Sequence, residues 1–131
     1  METNTGTPRK RHVLIVDDDI PLAWSCKQTL EHRGYDATIV PDGGLALKFV
    51  LQHHLDAVVC DLQIARLEGD LLFATVERLN PALARRFVFI TGLGDQTSFQ
   101  KFIDSVALPA LRKPVDMETL MGEVMRVLEQ R

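Results

Sequence analysis

Four short apolar runs in this chain each end in a polar or charged residue. The runs and the residues that follow them are 13–16 before Asp17, Asp18 and Asp19, 57–60 before Asp61, 87–90 before Thr91, and 109–112 before Lys113. Short apolar runs bounded by turn residues are typical of buried parallel strands. Because open α/β folds bind ligands at the carboxyl edge of their sheet, the pattern predicts a site built from these polar residues.

Segments with helical spacing separate the runs, and a further apolar run at 37–40 supplies a fifth strand. Pro21 suits the first turn of a helix, Gly34 suits its end, and Asp42 and Asp116 can cap later helices. Strands that alternate with helices imply right-handed crossovers and a parallel sheet covered on both faces. The sequence therefore predicts an α/β fold, a doubly wound five-stranded sheet with five helices. Two glycines make loop 92–95 a candidate mobile loop.

The composition limits the classes of protein to consider. A chain of 131 residues fits one domain, and we predict a disordered polar tail at 1–11 and a single domain at 12–131. A formal charge of −3 gives no general attraction to nucleic acid or to an anionic membrane. The apolar stretches are far shorter than the roughly 18 residues of a membrane span. The two cysteines, Cys26 and Cys60, suggest neither a disulfide nor a metal site, which favours the cytoplasm.

The polar residues at the strand ends suggest a chemistry. Carboxyl ends of neighbouring strands lie about 5 Å apart, so Asp17, Asp18 and Asp61 can converge. Three close carboxylates repel one another unless a cation or a proton relieves them, and hard oxygen ligands favour Mg²⁺. Lys113 can neutralise a phosphoryl group and the Thr91 hydroxyl can meet its oxygens. The site is thus complementary to an acyl phosphate formed by attack of Asp61.

These motifs, in this order, resemble the receiver domain of two-component response regulators over about 13–128. The resemblance is carried by Val-Leu-Ile-Val-Asp-Asp-Asp at 13–19, the strand ending at Asp61 with Gly69 eight residues on, Ile-Thr-Gly at 90–92 and Lys-Pro at 113–114. It implies a flavodoxin-like fold with strand order 2-1-3-4-5. It also implies transfer of a phosphoryl group from a phosphohistidine on a histidine kinase or a histidine phosphotransfer protein.

The resemblance assigns a role to each matching position. Asp61 is the expected phospho-acceptor, Thr91 the switch hydroxyl and Lys113 the lysine that faces the phosphoryl group. The expected Mg²⁺ ligands are Asp18 directly, Asp17 through a water molecule, Asp61, and the backbone carbonyl of Gln63. The Lys113-Pro114 peptide bond is expected to be cis. Such a domain promotes only its own phosphorylation and dephosphorylation, so we do not expect an enzyme with an external substrate.

Two positions depart from the family pattern. Receivers commonly have Met-Pro after the acceptor, and Ile64 and Ala65 stand there in this chain, which predicts a freer loop. Ala110 replaces the usual aromatic residue three positions before the lysine, so output is expected to run through loop 92–95 and the following helix. The Ile-Thr-Gly loop at 90–92 and the missing aromatic residue at Ala110 resemble receivers attached to hybrid histidine kinases, and a single-domain regulator is the alternative.

Two other functions stay open on the sequence. A degenerate receiver that acts only as a binding module would not bind Mg²⁺ or a phosphoryl analogue. A haloacid-dehalogenase-type phosphatase needs a general acid two residues after its aspartate, where this chain has Gln63, which cannot donate that proton. The expected output is a contact with an unknown partner protein, or a homodimer through the last two helices on phosphorylation.

Overall fold

A computed structural model describes residues 9–92 and 99–130. Its centre is one five-stranded parallel sheet with the strand order β2-β1-β3-β4-β5. The strands are β1 (His12–Val16), β2 (Asp36–Val40), β3 (Ala57–Asp61), β4 (Phe87–Thr91) and β5 (Ala110–Arg112). The predicted doubly wound α/β fold and its flavodoxin-like strand order are confirmed.

The described residues form six helices rather than the predicted five. They are α1 (Ile20–His32), α2 (Gly43–Gln52), α3 (Gly69–Leu79), α4 (Pro81–Ala84), α5 (Gln100–Ser105) and α6 (Met117–Leu128). The prediction missed α4, a single turn directly after α3. Pro81 ends one helix and begins the next, since its ring suits a first helical turn, and the Asn80 side chain accepts a hydrogen bond from Leu83 N at 3.2 Å.

Other helix ends follow the predicted local chemistry. The Asp42 carboxylate accepts a hydrogen bond from Leu45 N at 2.8 Å, and the Asp116 carboxylate accepts one from Thr119 N at 3.0 Å. Gly34 follows α1 with a φ of 93°, a left-handed conformation that glycine adopts without steric cost. These caps fix where each helix begins and ends relative to the sheet.

Apolar side chains cover both faces of the sheet. Along β1, Val13 and Ile15 pack with the buried faces of α1 and α6, whereas Leu14 and Val16 pack with α2 and α3 on the opposite face. Successive strand residues point to opposite faces, so one buried strand contributes to both clusters. The two apolar layers hold the strand ends in a rigid edge.

Two predictions fall on segments outside the described residues. The predicted tail includes residues 1–8, and the loop predicted at 92–95 includes residues 93–95. Within 9–92 and 99–130, none of the helices combines the length and the apolar character needed to cross a bilayer.

Candidate functional site

Strand pairing brings the predicted site residues to one edge of the sheet. Val16 pairs with Cys60, which places the residues that follow them, Asp17 and Asp61, side by side. Asp61 pairs with Ile90, and Thr91 pairs with Arg112. The carboxyl ends of three other strands thus lie near Asp61. Asp17 follows β1, Thr91 ends β4 and Lys113 follows β5.

Three carboxylates meet at this edge. Carboxylate oxygens of Asp17, Asp18 and Asp61 all lie within 4.8 Å of one another. Asp17 and Asp61 are buried, at 1% and 3% exposure, whereas Asp18 is exposed at the mouth of the site. The cluster is thus open to solvent on one side and enclosed by protein on the other.

Lys113 contributes a positive charge to the cluster. Its ammonium nitrogen donates a hydrogen bond to Asp61 Oδ2 at 3.1 Å and lies 3.5 Å from Asp17 Oδ1. Burial lowers the pKa of Lys113, but the hydrogen bond to Asp61 and the charges of the aspartates outweigh burial and raise it. Lys113 therefore stays protonated and balances only part of the acidic charge. The Lys113-Pro114 bond is cis, as predicted.

Asp17 is the most deeply buried of the three carboxylates. Burial, reinforced by the charge of Asp61, raises the pKa of Asp17 to about 7, although the hydrogen bond from Asp19 N and the charge of Lys113 oppose the change. Asp17 Oδ2 is buried and accepts no hydrogen bond from any described residue. An unpartnered buried carboxylate oxygen beside two further carboxylates fits a hard divalent cation such as Mg²⁺.

Gln63 and Thr91 border the cluster through their backbones. The backbone amide of Gln63 donates a hydrogen bond to Asp61 Oδ1 at 3.0 Å, which orients this carboxylate. Thr91 is buried, its hydroxyl donates to the Gly92 carbonyl at 3.5 Å, and its own carbonyl accepts from Lys113 N at 2.9 Å. The assigned roles of the Gln63 carbonyl and the Thr91 hydroxyl stay predictions.

Contacts of two further residues around this site were not predicted from the sequence. Asp19 caps α1, since its carboxylate accepts a hydrogen bond from Leu22 N, and the same carboxylate lies 3.6 Å from Lys113 Nζ. Gly43 was not singled out, although its amide donates to the carbonyl of Ala65 in the loop after Asp61. The adjacent glycines after Asp42 were the one available sequence signal.

Comparison with known proteins identifies the family. A family model described as response regulator receiver domain matches residues 13–125. The transcriptional regulatory protein ZraR of Escherichia coli is 28% identical over 116 residues, which are 88% of this chain and 26% of that protein. The chain thus spans about a quarter of the length of this curated relative.

Solved structures agree with the fold. A CheY-like response regulator receiver domain protein from Methanospirillum hungatei is 25% identical, with a TM-score of 0.81 over 92% of this chain and 95% of that one. A sensor protein from a Polaromonas species is also 25% identical, with a TM-score of 0.78 over 93% of this chain and 98% of that one.

Proposed function

Because the chain belongs to the family of response regulator receiver domains, we propose that it accepts a phosphoryl group on Asp61 in a Mg²⁺-dependent reaction and then switches its protein contacts. The donor is a phosphohistidine on a histidine kinase or a histidine phosphotransfer protein. The observation that carries this proposal is the ammonium of Lys113, 3.1 Å from Asp61 within a cluster of three carboxylates.

The side chains at the sheet edge suit an in-line transfer. An Asp61 oxygen attacks phosphorus, an O–P bond forms as the P–N bond to the donor imidazole breaks, and the electron pair leaves with that nitrogen. Lys113 neutralises negative charge that develops on the phosphoryl oxygens, and the Thr91 hydroxyl offers them a hydrogen bond. Bound Mg²⁺ supplies further charge neutralisation. Asp17, Asp18, Asp61 and the Gln63 carbonyl would hold this ion.

The proposed activity is that of a switch rather than of an enzyme with an external substrate. The chain promotes only its own phosphorylation and dephosphorylation, and it works in the cytoplasm, where a kinase and its nucleotide are available. Its output is a change in protein contacts, with an unidentified partner or in a homodimer. A net charge of −3 gives this chain no general attraction to nucleic acid, so we expect no direct binding to it. The similar ZraR is a transcriptional regulatory protein, so an output domain on a longer chain is one route.

Phosphorylation of an isosteric variant tests the proposal. Wild type, Asp61→Asn and the control Asp104→Asn, which replaces an exposed acid of α5, are incubated with acetyl phosphate and MgCl₂. Intact-mass spectrometry should show one added phosphoryl group on the wild type and the control, and none on Asp61→Asn. Equal labelling of all three proteins would reject Asp61 as the acceptor.

Two further readouts separate the alternatives. A wild type that binds neither Mg²⁺ nor beryllofluoride, measured by calorimetry, would support a binding module without phosphoryl transfer. Catalytic turnover of p-nitrophenyl phosphate that is lost in Asp61→Asn would support a phosphatase. The proposed switch predicts beryllofluoride binding that requires Mg²⁺ and no turnover of the ester.

A further inference from the structure

We propose that Gly43, the first residue of α2, is a positioning residue for the site, because the loop that follows Asp61 rests on its backbone. The loop comprises residues 62–68, and we call it the acceptor loop. This inference rests on the function proposed above and assigns a part of that function to a helix end that touches neither the metal ligands nor the phosphoryl group.

The contact between Gly43 and the acceptor loop leaves no room for a side chain. A Cβ atom built on Gly43 would lie 1.8 Å from the carbonyl oxygen of Leu67 and 2.8 Å from the Leu67 Cβ. The Gly43 amide donates a hydrogen bond to the carbonyl of Ala65 at 3.0 Å. The first amides of a helix have no partner inside the helix, so the loop supplies one. Helix and loop are thus in direct backbone contact.

The acceptor loop needs this support because its backbone is strained. Arg66 has a φ of 73°, and Leu67 N donates to Ala65 O at 2.9 Å across it. A hydrogen bond from residue i+2 to residue i around a positive φ is a rare turn, and a left-handed conformation is unfavourable for a residue with a side chain. Such conformations persist where neighbouring structure holds them. Here the Ala65 carbonyl accepts from both Leu67 and Gly43.

The other end of the acceptor loop is tied to the site. Leu62 and Ile64 are buried, and Gly69 N donates to Leu62 O at 2.9 Å. Between the two buried residues lies Gln63, whose amide donates to the Asp61 carboxylate. Ala65 and Leu67 follow Gln63 by only two and four residues, so a displacement at Leu67 pulls on the short segment that carries the Gln63 amide. Gly43 therefore sets the position of groups that bind the metal and orient the acceptor.

The neighbouring glycine provides a matched control. A Cβ on Gly44 would lie 3.3 Å from the Asp42 carboxylate and 3.8 Å from Arg66 Cβ, so a methyl group fits with a small adjustment of a side chain. Gly43→Ala and Gly44→Ala thus make the same chemical change in the same helical turn. Only the first forces the acceptor loop to move.

Mg²⁺ binding to the unphosphorylated chain, measured by calorimetry, tests the inference without any phosphoryl transfer. Gly43→Ala should raise the dissociation constant for Mg²⁺ about 10- to 100-fold. This is the range typical of mutating residues that orient metal ligands without binding the metal themselves. Gly44→Ala should bind like the wild type. Circular dichroism at the titration temperature establishes that each protein is folded, so that a loss of affinity is not a loss of fold.

A second pair of variants keeps the test decisive if Gly43→Ala does not fold. Arg66 is exposed, and its ion pair with Asp42 is long at 3.8 Å. Arg66→Gly and Arg66→Val both remove this pair, but only valine is strongly disfavoured at a positive φ. Arg66→Gly should retain wild-type Mg²⁺ affinity, and Arg66→Val should weaken it in the same direction as Gly43→Ala.

The outcomes separate the two proposals. Wild-type Mg²⁺ affinity in a folded Gly43→Ala, or equal affinities in the two Arg66 variants, would overturn the positioning role and leave the phospho-acceptor function standing. A wild type that binds neither Mg²⁺ nor beryllofluoride would overturn the function itself and the positioning role with it. Selective weakening in Gly43→Ala and Arg66→Val would establish the positioning role.

Discussion

Lys113 and Asp61 form a hydrogen-bonded ion pair, with Nζ 3.1 Å from Oδ2, although β3 and β5 are separated by β4 in the sheet. Asp17 and Asp19 also lie within 3.6 Å of the same ammonium group. The Lys113 ammonium group therefore reduces the repulsion among three aspartate carboxylates. A bound Mg²⁺ would lie close to the same ammonium group and would be repelled by it. Replacing Lys113 should therefore affect Mg²⁺ binding and phosphorylation differently.

Replacing Lys113 should have opposite effects on phosphorylation and on Mg²⁺ binding. Lys113→Ala removes the charge that stabilises the transferring phosphoryl group, so phosphorylation by acetyl phosphate should slow by about 10²- to 10³-fold. The same change removes a positive charge that repels Mg²⁺, so the ion should bind at least as tightly as in the wild type. Rates from intact-mass spectrometry and dissociation constants from calorimetry measure the two effects.

Lys48 provides the control for that experiment. It is an exposed lysine of α2, so Lys48→Ala should change neither the rate nor the affinity. Weaker Mg²⁺ binding in Lys113→Ala, or phosphorylation at the wild-type rate, would show that the lysine does not act as a charge on the phosphoryl group.

The metal-free chain should lose stability as pH rises towards neutrality. The pKa of Asp17 is about 7 in the folded chain against 3.8 for an ordinary aspartate, mainly because it is buried. Between these two values the folded state binds more protons than the unfolded state. The contribution of Asp17 to the free energy of unfolding therefore falls from about pH 4 to about pH 7 and then levels off.

Urea unfolding in the presence of a chelator measures this dependence. In Asp17→Asn the side-chain oxygen can still accept the hydrogen bond from the Asp19 amide, but the side chain cannot ionise. This variant should therefore be more stable than the wild type at pH 7.5. Added Mg²⁺ should stabilise the wild type, by about 2.7 kcal/mol at 100 times its dissociation constant, and Asp17→Asn much less. If the free energies of unfolding of the two metal-free proteins changed with pH in parallel, Asp17 would not be the source of the pH dependence.

Asp56 should make the opposite contribution at the other end of the sheet. Burial raises its pKa, but the hydrogen bond from His12 N at 2.8 Å and the charges of Arg9 and His54 outweigh burial and lower it. Because the folded pKa lies below 3.8, the unfolded state binds more protons in acid. The stability that Asp56 supplies is present above pH 4 and is lost as pH falls through its folded pKa.

Asp56→Asn tests this contribution. The variant should be about 1–2 kcal/mol less stable than the wild type at pH 7, since a hydrogen bond to a charged acceptor is weakened. The difference should shrink as pH is lowered below 4 towards the folded pKa of Asp56, where the wild-type carboxyl takes up its proton. Denaturant unfolding at pH 7 and pH 3.5 measures it, and a difference that is constant with pH would exclude a charge effect.

Strands and helix ends could be predicted from the sequence where the residue types match their surroundings in the fold. Buried strands such as 57–60 read as continuous apolar runs, and Asp42 and Asp116 stand where a cap is needed. Because each of these strands ends at a residue able to bind cations or phosphoryl groups, their convergence could be predicted from topology alone. The clustering of Asp17, Asp18, Asp61 and Lys113 follows from that reasoning.

Other features depend on contacts that no local pattern encodes. Leu45 of α2 and Leu79 of α3 are 45% and 56% exposed, so apolar character alone does not identify which helix residues face the sheet. The support of the acceptor loop by Gly43 joins segments about 20 residues apart through backbone atoms. Glycine carries no side chain whose chemistry could signal such a contact.

Two glycines outside the site should respond to alanine in opposite directions. Neither Gly34 nor Gly122 has a heavy atom within 4 Å of an added Cβ, so packing does not distinguish them. Gly34 has a φ of 93°, and alanine there should cost roughly 1–2 kcal/mol. Gly122 lies inside α6 and is exposed, so alanine there should stabilise the chain by about 0.5–1 kcal/mol. Urea unfolding of both variants measures the difference, and a change of the same sign in both would show that backbone conformation does not decide it.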